Sequence, residues 1–165
     1  MEKKPTRKLA IYPGTFDPIT LGHIDVLKRS LKLFDYIILA VLSNTSKKPL
    51  FSLAERVTIA QKSVKALDRV RVESFDGLVV DFLKRKQAQT VIRGMRVASD
   101  FEYEFQMALM NRKLKPDFES VFLVPSTEFI FLSSSLVKEV AARGGDIKKF
   151  VPEASYRALK QKFRL

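Results

Sequence analysis

The stretch Leu9-Ala10-Ile11-Tyr12-Pro13-Gly14-Thr15-Phe16-Asp17-Pro18-Ile19-Thr20-Leu21-Gly22-His23 decides the fold. Its first four residues form a short, continuous apolar run, which reads as a strand buried on both faces. Pro13, Gly14 and Pro18 then force turns. Thr20 offers an N-cap hydroxyl, and Gly22 lets the backbone approach a ligand closely. Beyond them, Ile24, Leu27, Leu31 and Phe34 recur at spacings of 3, 4 and 3, the period of an amphipathic helix. Strand, tight loop and helix follow one another within 30 residues.

The same alternation continues along the chain. Tyr36–Leu42, Val70–Val72, Thr90–Ile92 and Val121–Val124 read as further strands. Leu53, Val57, Ala60 and Val64 give a second helical stripe, and Phe101, Phe105 and Ala108 start another. Leu136 and Val140, and then Phe150–Leu165, supply the last helices. Ser52 with Glu55 and Ser99 with Glu102 have capping-box spacing and predict two helix starts. Strands alternating with helices imply βαβ units. The expectation is α/β: a single doubly wound, Rossmann-like domain over residues 1–165 with a mainly parallel five-stranded sheet, preceded by a basic lead-in at 1–8.

With 165 residues and 46% hydrophobic content, the chain is long enough to bury a substantial core. It has no cysteine, which removes disulfide scaffolds, thiolate metal sites and Cys nucleophiles together. No apolar run approaches the ~20 residues of a spanning helix, and the N-terminus lacks a signal-peptide pattern. A protein of a reducing compartment, the cytoplasm, with no membrane partner is expected. Thirty Lys and Arg against 18 Asp and Glu give a net charge of +12, so the partner is an anion. The surplus is spread along the chain, as a solvated surface would spread it.

In a doubly wound sheet, ligands sit beyond the carboxyl ends of the strands, where loops enter helix N-termini. Three such places carry chemistry. The first is the Tyr12–His23 loop. His23 is the only histidine, and it falls in the first turn of the helix. A lone histidine is most often structural, but Thr-x-Gly-His directly after a strand and a Gly-Thr-Phe-Asp-Pro turn is a dense signal. The second is Ile92-Arg93-Gly94-Met95-Arg96, where a strand end aims two fixed cations at one cleft. Arg suits phosphate because its planar fork donates bidentately. The third is Phe131-Leu132-Ser133-Ser134-Ser135-Leu136, an N-cap cluster whose hydroxyls also suit phosphate.

Gly14-Thr15-Phe16-Asp17-Pro18 followed by Thr20-Leu21-Gly22-His23 resembles the (H/T)xGH signature of the nucleotidylyltransferase superfamily. Nearly the whole chain resembles the phosphopantetheine adenylyltransferase family within it. The further matches, in family order, are Ser46-Lys47-Lys48-Pro49, Ile92–Arg96, Asp100-Phe101-Glu102-Tyr103-Glu104 and Ser133–Val140. Leu132 stands where the family has Ile, and Phe129–Phe131 is more apolar than in some relatives.

The resemblance implies adenylyl transfer from ATP to 4′-phosphopantetheine, giving dephospho-coenzyme A and pyrophosphate, by in-line attack without a covalent enzyme intermediate. It implies His23 as the transition-state stabiliser, with Lys47 and Arg93 as its catalytic companions. Thr15, Phe16, His23, Gly94, Met95, Arg96, Glu104, Phe129, Ile130, Phe131, Leu132, Ser133, Ser134 and Ser135 are the implied ATP contacts. Thr15, Lys47, Val79 and Arg93 are the implied phosphopantetheine contacts. Lys138, one turn into the last motif helix, stands ready to assist. Mg²⁺ is expected to arrive with ATP rather than on protein ligands, and a homohexamer is implied.

Among the motif residues there is no second histidine, carboxylate dyad or nucleophile–base pair. Transfer to a phosphate monoester needs none, because the attacking oxygen is already anionic; cations and helix N-termini hold the two polyanions together. Two alternatives differ in kind. A relative acting on nicotinamide mononucleotide or a phosphorylated alcohol shares the chemistry. A nucleic-acid-binding module shares the charge but lacks an RNP motif, a zinc-finger pattern or a basic heptad helix, so no nucleic-acid partner is expected.

Overall fold

The computed structural model describes residues 8–43, 48–96 and 98–164, with backbone only at 98–100. Strands and helices alternate: β1 (Leu9–Gly14), α1 (Leu21–Ser30), β2 (Tyr36–Leu42), α2 (Leu53–Val64), β3 (Val70–Phe75), α3 (Val79–Lys86), β4 (Thr90–Gly94), α4 (Ala98–Leu114) and β5 (Glu119–Leu123). Two helices close the chain, α5 (Ser134–Ala142) and α6 (Glu153–Phe163). All four strand pairings are parallel, in the order β3-β2-β1-β4-β5. The expected doubly wound, five-stranded α/β sheet is therefore observed.

The central strands show why the apolar runs are continuous. Side chains alternate across a strand. Ile37, Leu39 and Val41 of β2 pack in one core with α1, α2, α5 and α6. Ile38 and Ala40 face the other core, built with Val80, Phe82 and Leu83 of α3 and with Phe118. Both faces are covered, so both sets are apolar. The edge strand β3 relaxes this rule, and Arg71 and Ser74 are exposed there. β1, β3 and β4 run two or three residues beyond their apolar cores, and β5 starts two residues before Val121 and ends at Leu123.

Two readings change. Ser99 is not the N-cap of α4, because that helix already begins at Ala98. Of the helical stripe Phe101, Phe105 and Ala108, only Ala108 packs against a core; the two Phe side chains are 48% and 45% exposed. α4 carries apolar residues around its whole circumference, and a sheet can cover only one side of a helix. Phe101 and Phe105 instead stack on each other at 5.5 Å, with Phe101 edge-on to Phe122 of β5.

The order of the strands positions the site. From β1 the chain winds outward through β2 and β3, then returns to β4 on the other side of β1 and continues to β5. The loops after β1 and β4 thus depart in opposite directions, which opens a crevice at their carboxyl ends. The β1–β4 ladder pairs only Ala10 with Thr90 and Ile11 with Val91. Beyond it, Pro13 and Gly14 of β1 and Arg93 and Gly94 of β4 line a cleft.

Candidate active site

The cleft has a volume of about 350 Å³ and is lined from four directions. The β1–α1 loop contributes Tyr12–Asp17, Thr20, Gly22 and His23, and Lys48 and Pro49 come from the loop after β2. Arg93, Gly94, Arg96 and Glu104 come from β4 and α4, and Phe129, Leu132–Ser135 and Lys138 from the segment entering α5. All three chemically loaded segments of the sequence meet here.

His23 is held by the cap of its own helix. Thr20 is the N-cap of α1, and its hydroxyl accepts the His23 N–H. In return, the Thr20 N–H donates to His23 Nδ1 at 2.9 Å. A backbone N–H can only donate, so Nδ1 must be the unprotonated nitrogen, and this hydrogen bond assigns the ring proton to Nε2. Burial lowers the His23 pKa to about 4, and the positive charge of Arg96 adds to the shift. Near neutral pH, His23 is thus a neutral imidazole with an Nε2–H donor at a helix N-terminus, beside a cleft rich in cations. Protonating Nδ1 would break the cap.

Aromatic packing fixes the rest of the loop. Phe16 lies edge-on to the His23 ring at 5.1 Å and to Tyr12 at 5.5 Å. Its backbone adopts a positive φ of 47°, which turns the ring back under Gly14. A Cβ at Gly14 would sit 2.9 Å from that ring, so only glycine fits. Burial pushes the Tyr12 phenol well above its ordinary pKa, against the pull of Arg93 and Arg96, and keeps it protonated.

Beneath the loop lie two buried charges. The Asp17 carboxylate accepts the N–H groups of Leu50 and Phe51 at 2.9 Å each and pairs with Lys138. The Arg56 guanidinium donates to the carbonyls of Thr15, Leu42 and Phe51. Sequence reasoning missed Arg56. Its only signal is position: it stands one residue from Val57 and three from Leu53, on a stripe that must face the sheet.

The arginines of the β4 loop are also pre-arranged. Glu104 of α4 accepts from Arg93 Nε at 3.0 Å, and Arg93 also reaches the Pro13 carbonyl at 3.4 Å. Among the described residues, no other group takes the fork's remaining donors. Arg96 donates to the Leu132 carbonyl, which ties the second and third segments together. Ser133 caps α5 by accepting the Leu136 N–H, while the Ser134 hydroxyl donates to the Pro18 carbonyl. Asp25 of α1 accepts from the Ser126 N–H and hydroxyl and from Arg29, anchoring the segment that leads to Phe129.

Of the residues singled out in the sequence, Thr15, Phe16, His23, Arg93, Gly94, Arg96, Glu104, Phe129, Leu132, Ser133, Ser134 and Ser135 line the cleft. Met95, Ile130, Phe131 and Val79 are not in its lining. Met95 is buried and donates its N–H to the Leu123 carbonyl, whereas Phe131 is 55% exposed and edge-on to Phe150. Val79 opens α3 at the same edge of the sheet and packs against the second core. Lys47 lies outside the described residues; its neighbour Lys48 is in the lining. Among the described residues, no three His, Asp or Glu side chains converge on a point where they would hold a metal ion.

This is the geometry of a nucleotidyltransferase: a switch-point cleft whose N–H donors, hydroxyls and cations face a polyanion. Residues 11–140 match the model of the cytidylyltransferase-like family. A phosphopantetheine adenylyltransferase of Caldanaerobacter subterraneus subsp. tengcongensis is 50% identical over 157 residues, which is 95% of this chain and 98% of that protein. A crystal structure from Vibrio parahaemolyticus, of a candidate nicotinate-nucleotide adenylyltransferase, superposes with a TM-score of 0.72. It covers 96% of this chain and 95% of its own at 20% identity, a likeness of fold. The chain belongs to the cytidylyltransferase-like nucleotidyltransferases and, within them, to the phosphopantetheine adenylyltransferase family.

Proposed function

We propose that the protein transfers the adenylyl group of ATP to 4′-phosphopantetheine, giving dephospho-coenzyme A and pyrophosphate. The observation that carries the reading is the His23 Nε2–H, held as a neutral donor at the start of α1 in a cleft that also exposes Arg93 and Arg96. The 50% identity to a phosphopantetheine adenylyltransferase supports the choice of acceptor.

A phosphate oxygen of the acceptor attacks Pα of ATP; the bond from Pα to the bridging oxygen breaks, and pyrophosphate leaves. The attacking oxygen is already anionic, so no base is required. The protein contributes position and charge. His23, with Lys47, Arg93 and Thr15, stabilises the charge that builds on the transferring group. Ser133, Ser134 and Ser135, at the start of α5, hold the outer phosphates of ATP. Phe16, Gly94, Met95, Arg96, Glu104 and Phe129–Leu132 complete its site, with Arg96 linking two of these segments. Lys47 and Arg93 bind the acceptor phosphate, and the pantetheine arm runs toward Val79. The two cleft carboxylates, Asp17 and Glu104, are committed to Lys138 and Arg93. That leaves the triphosphate itself to hold Mg²⁺, which would neutralise charge on the leaving pyrophosphate.

The chain works as one domain, in the cytoplasm, without nucleic-acid or membrane partners. Among the described residues, no helix is long and apolar enough to cross a membrane. It assembles as a homohexamer, as the family resemblance implies; the exposed apolar surface of α4 supports self-association without fixing the number of subunits. Pyrophosphate release from ATP, dependent on 4′-phosphopantetheine, tests the reaction; no release under conditions where the protein is folded contradicts it.

A further inference from the structure

We propose that Arg56 is a positioning residue for the adenylyl transfer, holding the phosphate-facing wall of the cleft from beneath. The inference rests on the reaction proposed above. Arg56 is 1% exposed, the largest of the fully buried side chains, and it does not line the cleft. Taking a guanidinium out of water costs several kcal/mol, and an aliphatic side chain of similar volume would pack α2 on the sheet without that penalty. What the guanidinium adds is directed hydrogen bonding. Arg56 Nη1 donates to the Thr15 carbonyl at 2.7 Å and to the Leu42 carbonyl at 2.9 Å, and Nε donates to the Phe51 carbonyl at 3.2 Å.

Those three carbonyls belong to the segments that build one wall. Leu42 ends β2 and Phe51 precedes α2, so Arg56 grips both ends of the connection from which Lys48 and Pro49 line the cleft. Phe51 is gripped twice, its carbonyl by Arg56 and its N–H by the buried carboxylate of Asp17. Thr15 sits at the turn of the β1–α1 loop. The C=O and N–H of a trans peptide point in opposite directions. With the Thr15 carbonyl on Arg56, the Phe16 N–H points away from the guanidinium. Arg56 thus fixes the orientation of the peptide joining Thr15 and Phe16, two residues that line the cleft, without lining it itself.

The test uses the full chain, with ATP and 4′-phosphopantetheine, and three variants: Arg56→Met, Arg56→Lys and, as a stability control on the same helix, Ile59→Ala. Pyrophosphate release and melting temperature are measured for each. Arg56→Met is expected to lower kcat on the order of thirtyfold, with the KM for ATP changed less than about threefold, the signature of misplaced reacting groups. Arg56→Lys is expected to recover only part of kcat, because one ammonium cannot reach three carbonyls in the same plane. Ile59→Ala is expected to lower the melting temperature at least as far as Arg56→Met while keeping kcat within about twofold. A kcat for Arg56→Met within twofold of the parent overturns the proposal, as does an equal loss in Ile59→Ala. If Arg56→Met does not fold, Arg56→Lys decides: a kcat at least about fivefold lower supports the proposal, and an unchanged kcat overturns it. A parent protein that fails to release pyrophosphate contradicts the reaction itself, a result distinct from any of these.

Discussion

At His23 the cap and the chemistry are one arrangement. The ring accepts the Thr20 N–H through Nδ1, so it presents Nε2–H to the cleft and resists protonation. The ring should therefore stay neutral until the pH falls to about 4, which NMR titration of its nitrogens reads directly; a midpoint near 6.5 would contradict the arrangement. The sign for stability follows. Below about 6.5 an unfolded chain takes up a proton on this histidine, while the folded chain does not until about 4. The group therefore subtracts stability as the pH falls through that window and has no pH-dependent effect above it. Replacing His23 with Ala should lower kcat by ~10²–10³-fold with little change in ATP affinity, as loss of a transition-state donor does; retention of more than a third of kcat would sink the role. Arg93→Ala should raise the KM for the acceptor about tenfold or more, and more than the KM for ATP. Glu104→Gln should produce a smaller change in the same direction, because it loosens the Arg93 fork without removing it. Equal effects on the two substrates would assign Arg93 differently. His23, Arg93 and the serines were legible in the sequence because each stands at a strand end or helix start. The reciprocal cap was not, since a capping box is normally read from Glu or Gln at the third position. Arg56 was not, since a charged side chain on a helix is read as solvated unless partners from distant segments are known.

The elements show the same division. β1, β2 and β4 were legible because burial on both faces makes their runs continuously apolar. α1 and α2 were legible because each has a cap and a one-sided stripe. The start of α4 was not legible, because Ser99 and Glu102 have capping spacing although the helix begins at Ala98, two residues before the start that a Ser99 cap gives. Its exposure was misread because an all-round apolar helix gives no clue to which side meets the sheet. The exposed face of α4, with Phe101, Phe105, Leu109 and Met110, makes an element-level prediction. Phe105→Glu should shift the protein to smaller assemblies in light scattering while the isolated chain stays folded. A parent protein that runs as a monomer would contradict the proposed hexamer.

At the scale of the molecule, the order of the strands converts four loops of ordinary composition into one cleft. No sequence period reveals that order; it is inferred only from the rule that parallel crossovers are right-handed and lead to a switch point. The net charge of +12 has two structural outlets. Lys48, Arg93, Arg96 and Lys138 line the cleft. Others stand in the last turns of helices, such as Lys28 and Arg29 in α1 and Lys84–Lys86 in α3, where they face the negative ends of the helix dipoles. Neither use requires nucleic acid. Removal of residues 2–7 should therefore leave turnover within about twofold, while any residual binding to RNA weakens and becomes less salt-dependent. A truncated protein that folds but loses turnover would place that segment in catalysis.

The central claim is the choice of acceptor, and one measurement meets it most directly: pyrophosphate release from Mg·ATP, compared for 4′-phosphopantetheine, nicotinamide mononucleotide, nicotinate mononucleotide and a simple phosphorylated alcohol at equal concentration. Release is expected with 4′-phosphopantetheine, at a kcat/KM at least ~100-fold above any other acceptor, with dephospho-coenzyme A as the adenylylated product. Preference for either pyridine mononucleotide, or turnover indifferent to the acceptor, would contradict it.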